Sequence, residues 1–287
     1  MARNLARAGL LVGVYNRTRA RSDELAQELE VASCVTPSEL AAVSDVLITM
    51  VADETVSTDL YLGRHGFLEG IRRGSIALEM STVSIDHAQR LAALLEPYGC
   101  MFLDVPVSGS VSMAADASLT LLLGGEAETC RRVGPVLQAL GSTIFHLGPV
   151  GAGAAMKLAV NAIIYGLNEA LSEGLVLAER TGITRERAYE VFASSAVAAP
   201  FVHYRREAFE RPGDVPVALR LRLAEKDCDL ILQLAADVGQ SMPQTERNLE
   251  ILRRAAEAGF GEDDVSAVAE YLRRDGGNAQ DGHGRES

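Results

Sequence analysis

The chain has 287 residues, 48% of them hydrophobic and 23% charged, with a formal net charge of −12. That length accommodates two domains of ordinary size, and the acidic balance argues against general nucleic-acid binding, which needs a basic surface. Four cysteines (Cys34, Cys100, Cys130, Cys228) form no CxxC pair, as suits a reducing compartment, and five scattered histidines in no ligand spacing predict no metal.

In chain order, 1–9 reads as a helix ending at a glycine cap, and 10–15 (LLVGVY) as an apolar strand. Asn16, Arg17 and Thr18 form a turn, with Thr18 or Ser22 as caps for a helix through Glu30. A helix over 37–43, a buried strand over 45–50 and a helix over 54–62 follow. Then come a strand over 75–79, a helix over 85–98, strands over 100–105, 119–124 and 142–146, and a helix over 127–140. Strands alternating with helices predict a parallel sheet covered on both faces. The pattern then changes. A long helix runs from about 153 to 180 and is expected to span from one domain into the next. Helices over 184–195, 200–210, 216–238, 243–258 and 264–274 follow, with no convincing strand beyond about position 150. The expected division is an α/β domain over 1–149, a helical domain over 150–274 and a glycine-rich disordered tail over 275–287 (DGGNAQDGHGRES).

The most informative stretch is 148–161, GPVGAGAAMKLAVN. A loop with glycines at 148, 151 and 153 runs into an apolar helix, and Lys157 and Asn161, four residues apart, share one helical face. A lysine and an amide are costly to bury without a partner or a task. Alcohol oxidation by hydride transfer needs a base for the hydroxyl proton, and a lysine desolvated by apolar neighbours can serve; in reverse it protonates the alkoxide. The bland alternative is a lysine snorkelling from a surface helix. The same two polar groups make a membrane span untenable here. The N-terminus has no clean apolar core and cleavage site, so the expected location is the cytoplasm. A second stretch, DVPVSGS at 104–110, ends a strand in a turn whose exposed amides and hydroxyls suit a carboxylate.

Together these stretches resemble the β-hydroxyacid dehydrogenases, the family of 3-hydroxyisobutyrate dehydrogenase, tartronate semialdehyde reductase and, more distantly, 6-phosphogluconate dehydrogenase. The resemblance spans residue 1 to about 274. It implies a Rossmann-like doubly wound sheet followed by an all-helical second domain, with Lys157 moving the proton and Asn161 orienting substrate or lysine. It also implies that Ser108, Gly109 and Ser110 bind the substrate carboxylate, that Thr82 (beside Ser81) lies near the nicotinamide, and that Lys226, followed by Asp227, reaches cofactor or substrate. A basic residue after the second strand accommodates a 2′-phosphate, so Asn16, Arg17 and Thr18 point to NADP, with NAD the alternative. The expected partners are a small carboxylate substrate and a second copy of the chain, as a homodimer or homotetramer.

Two departures stand out. Ala52-Asp53 replaces the family's Pro-Asp, and Ala117-Ser118 stands where glycine usually precedes Leu-Thr. More consequential, the family's first strand and GxGxxG phosphate loop would precede residue 1, and the strand would lie mid-sheet, so its absence exposes two sheet edges. A misassigned start, a true truncation with loss of activity, and a compensating rearrangement each account for this. The corresponding rival readings of function are a non-catalytic relic and an oligomerisation scaffold.

Overall fold

The computed structural model describes the backbone of residues 1–281 and side chains through residue 275. The chain divides into two compact units, the first ending at Lys157 and the second beginning at Leu158, slightly beyond the 149/150 boundary expected from sequence.

The first unit opens with α1 (Ala2–Arg7), then β1 (Gly13–Val14), α2 (Arg19–Leu29) and β2 (Ala32–Ser33), with β1 and β2 paired in parallel. The next helices start where capping side chains dictate. The hydroxyl of Thr36 accepts from Glu39 N–H at the head of α3 (Pro37–Val43). After β3 (Val46–Thr49), the Asp53 carboxylate accepts from Val56 N–H to start α4 (Glu54–Leu62). After β4 (Ile76–Glu79), the Ser84 hydroxyl accepts from His87 N–H to start α5 (Ile85–Leu95). The expected helix over 85–98 thus ends early, with a 3-10 turn over Glu96–Tyr98, where Pro97 interrupts the hydrogen-bond ladder.

The remaining elements of the first unit are β5 (Met101–Asp104), β6 (Val107–Ser108), α6 (Val111–Ala115), β7 (Leu119–Gly124), α7 (Ala127–Arg132), α8 (Gly134–Gln138) and β8 (Gly141–Gly148). Pro135 in the first turn of α8 marks the break in what the sequence presents as one helix over 127–140. Strands β3, β4 and β5 are parallel and in register, so Thr49, Glu79 and Asp104 stand level at their carboxyl ends.

The sheet departs from the all-parallel expectation. β7 is antiparallel to both β5 and β6, while β8 pairs with it in parallel. Only residues 109–118 join β6 to β7, too short a connection for a parallel crossover. The doubly wound sheet is also split. β1–β2 forms its own two-stranded sheet, and the main sheet begins at β3. Among the described residues, β1 and β3 each have one edge without a strand partner. One face of the main sheet is packed by Leu78, Leu103, Leu121 and Leu5, the other by Leu47, Ala77, Phe102 and Leu91.

The second unit is helical. α9 (Ala152–Arg180) enters it from the first and is followed by α10 (Arg185–Ser194), α11 (Pro200–Glu210), α12 (Leu221–Asp237), α13 (Pro243–Ala255) and α14 (Val268–Asp281). α12 begins five residues after the expected Pro216. The reason is Asp264, whose carboxylate accepts from Ala218 and Leu219 N–H and pairs with Arg205, holding residues 218–219 out of the helix. The core gathers Leu158, Tyr165, Leu221, Ile231 and Leu252, with a second cluster around Leu175, Tyr189 and Phe209. α14 continues through Asp281, so the expected tail is helical over 275–281, since extending a helix costs less than starting one. The rest of that tail, 282–287, lies outside the described residues. Among the described residues, no helix is long and apolar enough to cross a membrane.

Candidate active site

In sheets of this kind ligands bind beyond the carboxyl ends of the strands. Three such ends in the first unit carry the residues singled out from sequence. After β1, the Asn16 side-chain oxygen accepts from Thr18 N–H at 2.8 Å, and Asn16, Arg17 and Thr18 are all exposed. The turn is thus pre-formed, with the Arg17 guanidinium presented outward.

After β4, the buried Glu79 carboxylate accepts from Ser57 Oγ at 2.6 Å and from Ser81 N–H at 3.0 Å. Burial pushes the Glu79 carboxyl above the usual range, against the pull of those donors. Ser81 Oγ in turn accepts from Val51 N–H at 2.8 Å, tying the loops after β3 and β4 together. His87 Nε2 lies 3.1 Å from Ser57 Oγ and extends this network. Half-buried Thr82 follows directly on this anchored turn; Ser84 rather than Thr82 caps α5.

After β5, the chain forms the Ser-Gly turn. Ser108 pairs with Thr120 of β7. Gly109 is exposed at φ +148°, and a Cβ there would lie 2.9 Å from Leu119 Cδ2, so glycine is required. Ser110 Oγ accepts from Met113 N–H at 3.2 Å, capping α6.

A residue not singled out from sequence organises this corner. Asp104, fully buried at the end of β5, accepts from Gly151 N–H and Ala154 N–H, both at 2.8 Å. These are free donors at the start of α9, where a carboxylate also meets the positive end of the helix dipole. Burial pushes the Asp104 carboxyl up, while the amides of Gly151 and Ala154 pull it down. The approach leaves no space: a Cβ on Gly153 would lie 2.3 Å from Leu122 O and 2.9 Å from Asp104 O. Half-buried Lys157, one turn beyond Gly153, is therefore mounted on a helix whose start is tied to the strand leading into Ser108–Ser110. The aspartate that opens DVPVSGS and the glycines of GPVGAGA, 47 residues apart, carried the signal without showing that they meet.

In the second unit, buried Asn161 donates through Nδ2 to Asp227 Oδ2 at 2.8 Å, and the Tyr165 hydroxyl donates to the same oxygen at 2.6 Å. The carboxylate fixes the amide, so Asn161 turns its acceptor oxygen away from Asp227. Lys226 Nζ lies 2.9 Å from Asp227 Oδ1. Around Lys226, Asp229 pairs with Arg253 at 2.6 Å, and Glu225 also faces Arg253. Asn168 donates to Val265 O at 3.2 Å, as a packing amide would.

Residues 1–148 match the NAD binding domain of 6-phosphogluconate dehydrogenase, and residues 151–272 match the family described as NAD-binding of NADP-dependent 3-hydroxyisobutyrate dehydrogenase. Glyoxylate/succinic semialdehyde reductase 2 of Arabidopsis thaliana is 33% identical over 95% of this chain and 76% of its own. The 3-hydroxyisobutyrate dehydrogenase of Salmonella typhimurium superposes with a TM-score of 0.87 at 27% identity, covering 94% of both chains. That of Mycobacterium tuberculosis, solved with L-serine, superposes at 0.78 with 30% identity, covering 95% of this chain and 94% of its own. The chain belongs to the β-hydroxyacid dehydrogenase family of NAD(P)-binding oxidoreductases.

Proposed function

We propose that the protein transfers a hydride between NADP(H) and a small 3-hydroxy acid or its semialdehyde or keto form, with Lys157 as the general acid and base. The observation that carries this reading is the Asp104 clamp, which holds the start of the Lys157 helix to the strand that leads into the Ser108–Ser110 turn. A carboxylate anchor and a proton carrier held on one braced piece of structure are what oriented proton transfer needs.

The donor set suits the cofactor at two points. The exposed Asn16–Thr18 turn offers a guanidinium and a hydroxyl to a phosphorylated ribose, and the braced Ser81–Thr82 turn offers polar groups at the carboxyl end of β4. When bound, the nicotinamide supplies or accepts the hydride. The chain's own residues do the rest. Amides and hydroxyls of Ser108, Gly109 and Ser110 bind the substrate carboxylate. Lys157 Nζ gives a proton to the carbonyl oxygen during reduction and takes it back during oxidation. The Asn161 oxygen, oriented by Asp227, accepts a hydrogen bond from the substrate hydroxyl or from the lysine ammonium. Lys226, held by Asp227, contributes positive charge toward cofactor or substrate. The relatives, a glyoxylate/succinic semialdehyde reductase and a 3-hydroxyisobutyrate dehydrogenase solved with L-serine, favour small substrates of two to four carbons with one carboxylate. The expected assembly is a homodimer or homotetramer of a cytoplasmic protein.

Lys157→Met tests the proposal. Turnover of short semialdehydes with NADPH is expected to fall by about 10²–10⁴-fold, with NADPH affinity by fluorescence titration unchanged. Unaltered turnover would overturn the assignment of Lys157. The alternative reading is a folded relic without cofactor affinity; absence of any saturable NADPH signal would support it.

A further inference from the structure

Glu79 closes β4 with a fully buried carboxylate. Burying an ionisable group is costly, and a neutral polar residue can end a strand without that cost. One oxygen, Oε1, accepts from Ser81 N–H two residues further on, and the other, Oε2, accepts from Ser57 Oγ of α4. The first of these bonds folds the chain back as it leaves the sheet. Ser81 is gripped a second time, by Val51 N–H of the loop after β3. Met80, Ser81 and Val83 are buried, and half-buried Thr82 is the member of the turn that reaches the surface. The carboxylate thus sets how Thr82 is presented at the carboxyl end of the sheet.

A second line of contacts runs behind Glu79. The Ser57 hydroxyl has a single proton; giving it to Glu79 leaves Oγ to accept from His87 Nε2 at 3.1 Å. His87 Nδ1 looks toward Glu54 Oε2 at 3.9 Å, and Glu54 Oε1 accepts from Ser84 N–H at 2.6 Å. With Glu79 ionised, the protons point from His87 to Ser57 to the carboxylate, and the bond from Ser81 N–H is charge-assisted. With Glu79 protonated, the line reverses, and Ser81 N–H meets only a neutral acceptor. Burial raises the Glu79 carboxyl and lowers the His87 imidazolium, and the negative charge of Glu54 adds to the rise at Glu79. The other ionisable groups nearby are occupied. Asp104, level with Glu79 on β5, holds the amides of Gly151 and Ala154. Asp86 and Arg90 of α5 pair with each other, and burial keeps the Tyr61 hydroxyl of α4 neutral.

We infer that Glu79 is a positioning residue for the cofactor: through Ser81 it holds the Thr82 turn in the shape that NADP(H) meets, and it does so best as a carboxylate. The inference rests on the proposed reading that this turn contacts the cofactor, and adds to it a residue that acts from behind the binding surface. Glutamine at this position keeps an oxygen for Ser81 N–H and offers an amide to Ser57, so it preserves the shape of the network and removes its charge.

The test compares Glu79→Gln with the unaltered chain by NADPH fluorescence titration and residue-resolved amide hydrogen exchange, between about pH 6 and about pH 9. At the alkaline end the variant should bind NADPH about fivefold more weakly, the difference between a charge-assisted and a neutral hydrogen bond. At the acid end, where the parent carboxyl is protonated, the two affinities should converge. Ionisations of the cofactor itself are common to both proteins and cancel in the ratio. The protection factor of the Ser81 amide should rise with pH in the parent and stay level in the variant. Ser57→Ala, which keeps Glu79 but removes a donor to it, should move the midpoint of the parent profile up by about one pH unit; this decides the matter if Glu79→Gln does not fold. An affinity ratio that is constant across the pH range, equal Ser81 protection in both proteins, or an unmoved midpoint in Ser57→Ala would overturn the inference while leaving the cofactor reading intact. Absence of any saturable NADPH signal in the unaltered chain would overturn both.

Discussion

Two buried aspartates, one in each unit, do different work. Asp104 spends its oxygens on backbone amides of Gly151 and Ala154, and so fixes where a helix begins. Asp227 spends its oxygens on side chains, receiving Asn161, Tyr165 and the ammonium of Lys226, and so fixes how functional groups point. The contrast teaches that a carboxylate held by main chain positions an element, whereas one held by side chains orients those side chains. Glu169 is a third case. It is buried, and neither of its oxygens has a hydrogen-bond partner among the described residues.

Breaking the Asp104 clamp should have the largest effect. Asp104→Asn keeps an acceptor for one of the two backbone donors but places an amide donor against the other, and is expected to cost about 3–5 kcal/mol of stability, read by chemical denaturation. Gly153→Ala attacks the same joint by steric overlap with main-chain oxygens, and should destabilise comparably while leaving Asp104 intact.

Glu169 sharpens the comparison through pH. Burial, assisted by the nearby Glu173, pushes its carboxyl up from 4.5 to about 8. The folded state therefore holds a proton that the unfolded chain releases. Its contribution to stability is complete below the unfolded value of about 4.5 and is lost as the pH rises toward about 8. Glu169→Gln removes that dependence and should make the protein more stable than the parent at pH 8 by about 4 kcal/mol, with little difference at pH 4.5. A parallel loss of stability with pH in both proteins would contradict this assignment.

Asp227→Asn should disturb the fold least. The new amide can still accept from Asn161 and Tyr165 through its oxygen, so stability is expected to fall by only about 1 kcal/mol. The predicted signature is kinetic: kcat falls about tenfold, equivalent to about 1.4 kcal/mol in the barrier, with KM for the carboxylate substrate little changed. A loss confined to KM would place Asp227 in binding instead.

Much of this was legible in the chain. Local rules located α3, α4 and α11 to the residue, because Pro37, Asp53 and Pro200 announce helix starts without help from tertiary structure. Elements set by distant partners were misread. The start of α12 depends on Asp264, more than forty residues away, and the reversal at β6 depends on pairing with β7. Lys157, Asn161 and the Ser108–Ser110 turn stood out because polar groups in apolar runs, and Ser-Gly at a strand end, are locally conspicuous. Asp104 did not, since an acid at a strand terminus looks like any other until the helix it caps is placed beside it. Tyr165 was missed for the same reason: nothing in its neighbourhood along the chain anticipates Asp227.

The crowding around Asp104 bears on how this polypeptide can vary. A methyl group on Gly124 would sit 2.4 Å from Asp104 Oδ1, and one on Gly153 would collide with Leu122 O. Gly151 adopts φ +97°, where a side chain would also meet Ile85. These four positions form an epistatic block. In a saturation library each should accept almost nothing singly, and no exchange among the four should rescue another, because the obstacles are main-chain atoms, the clamp itself and, at Gly151, a positive φ with the Ile85 side chain.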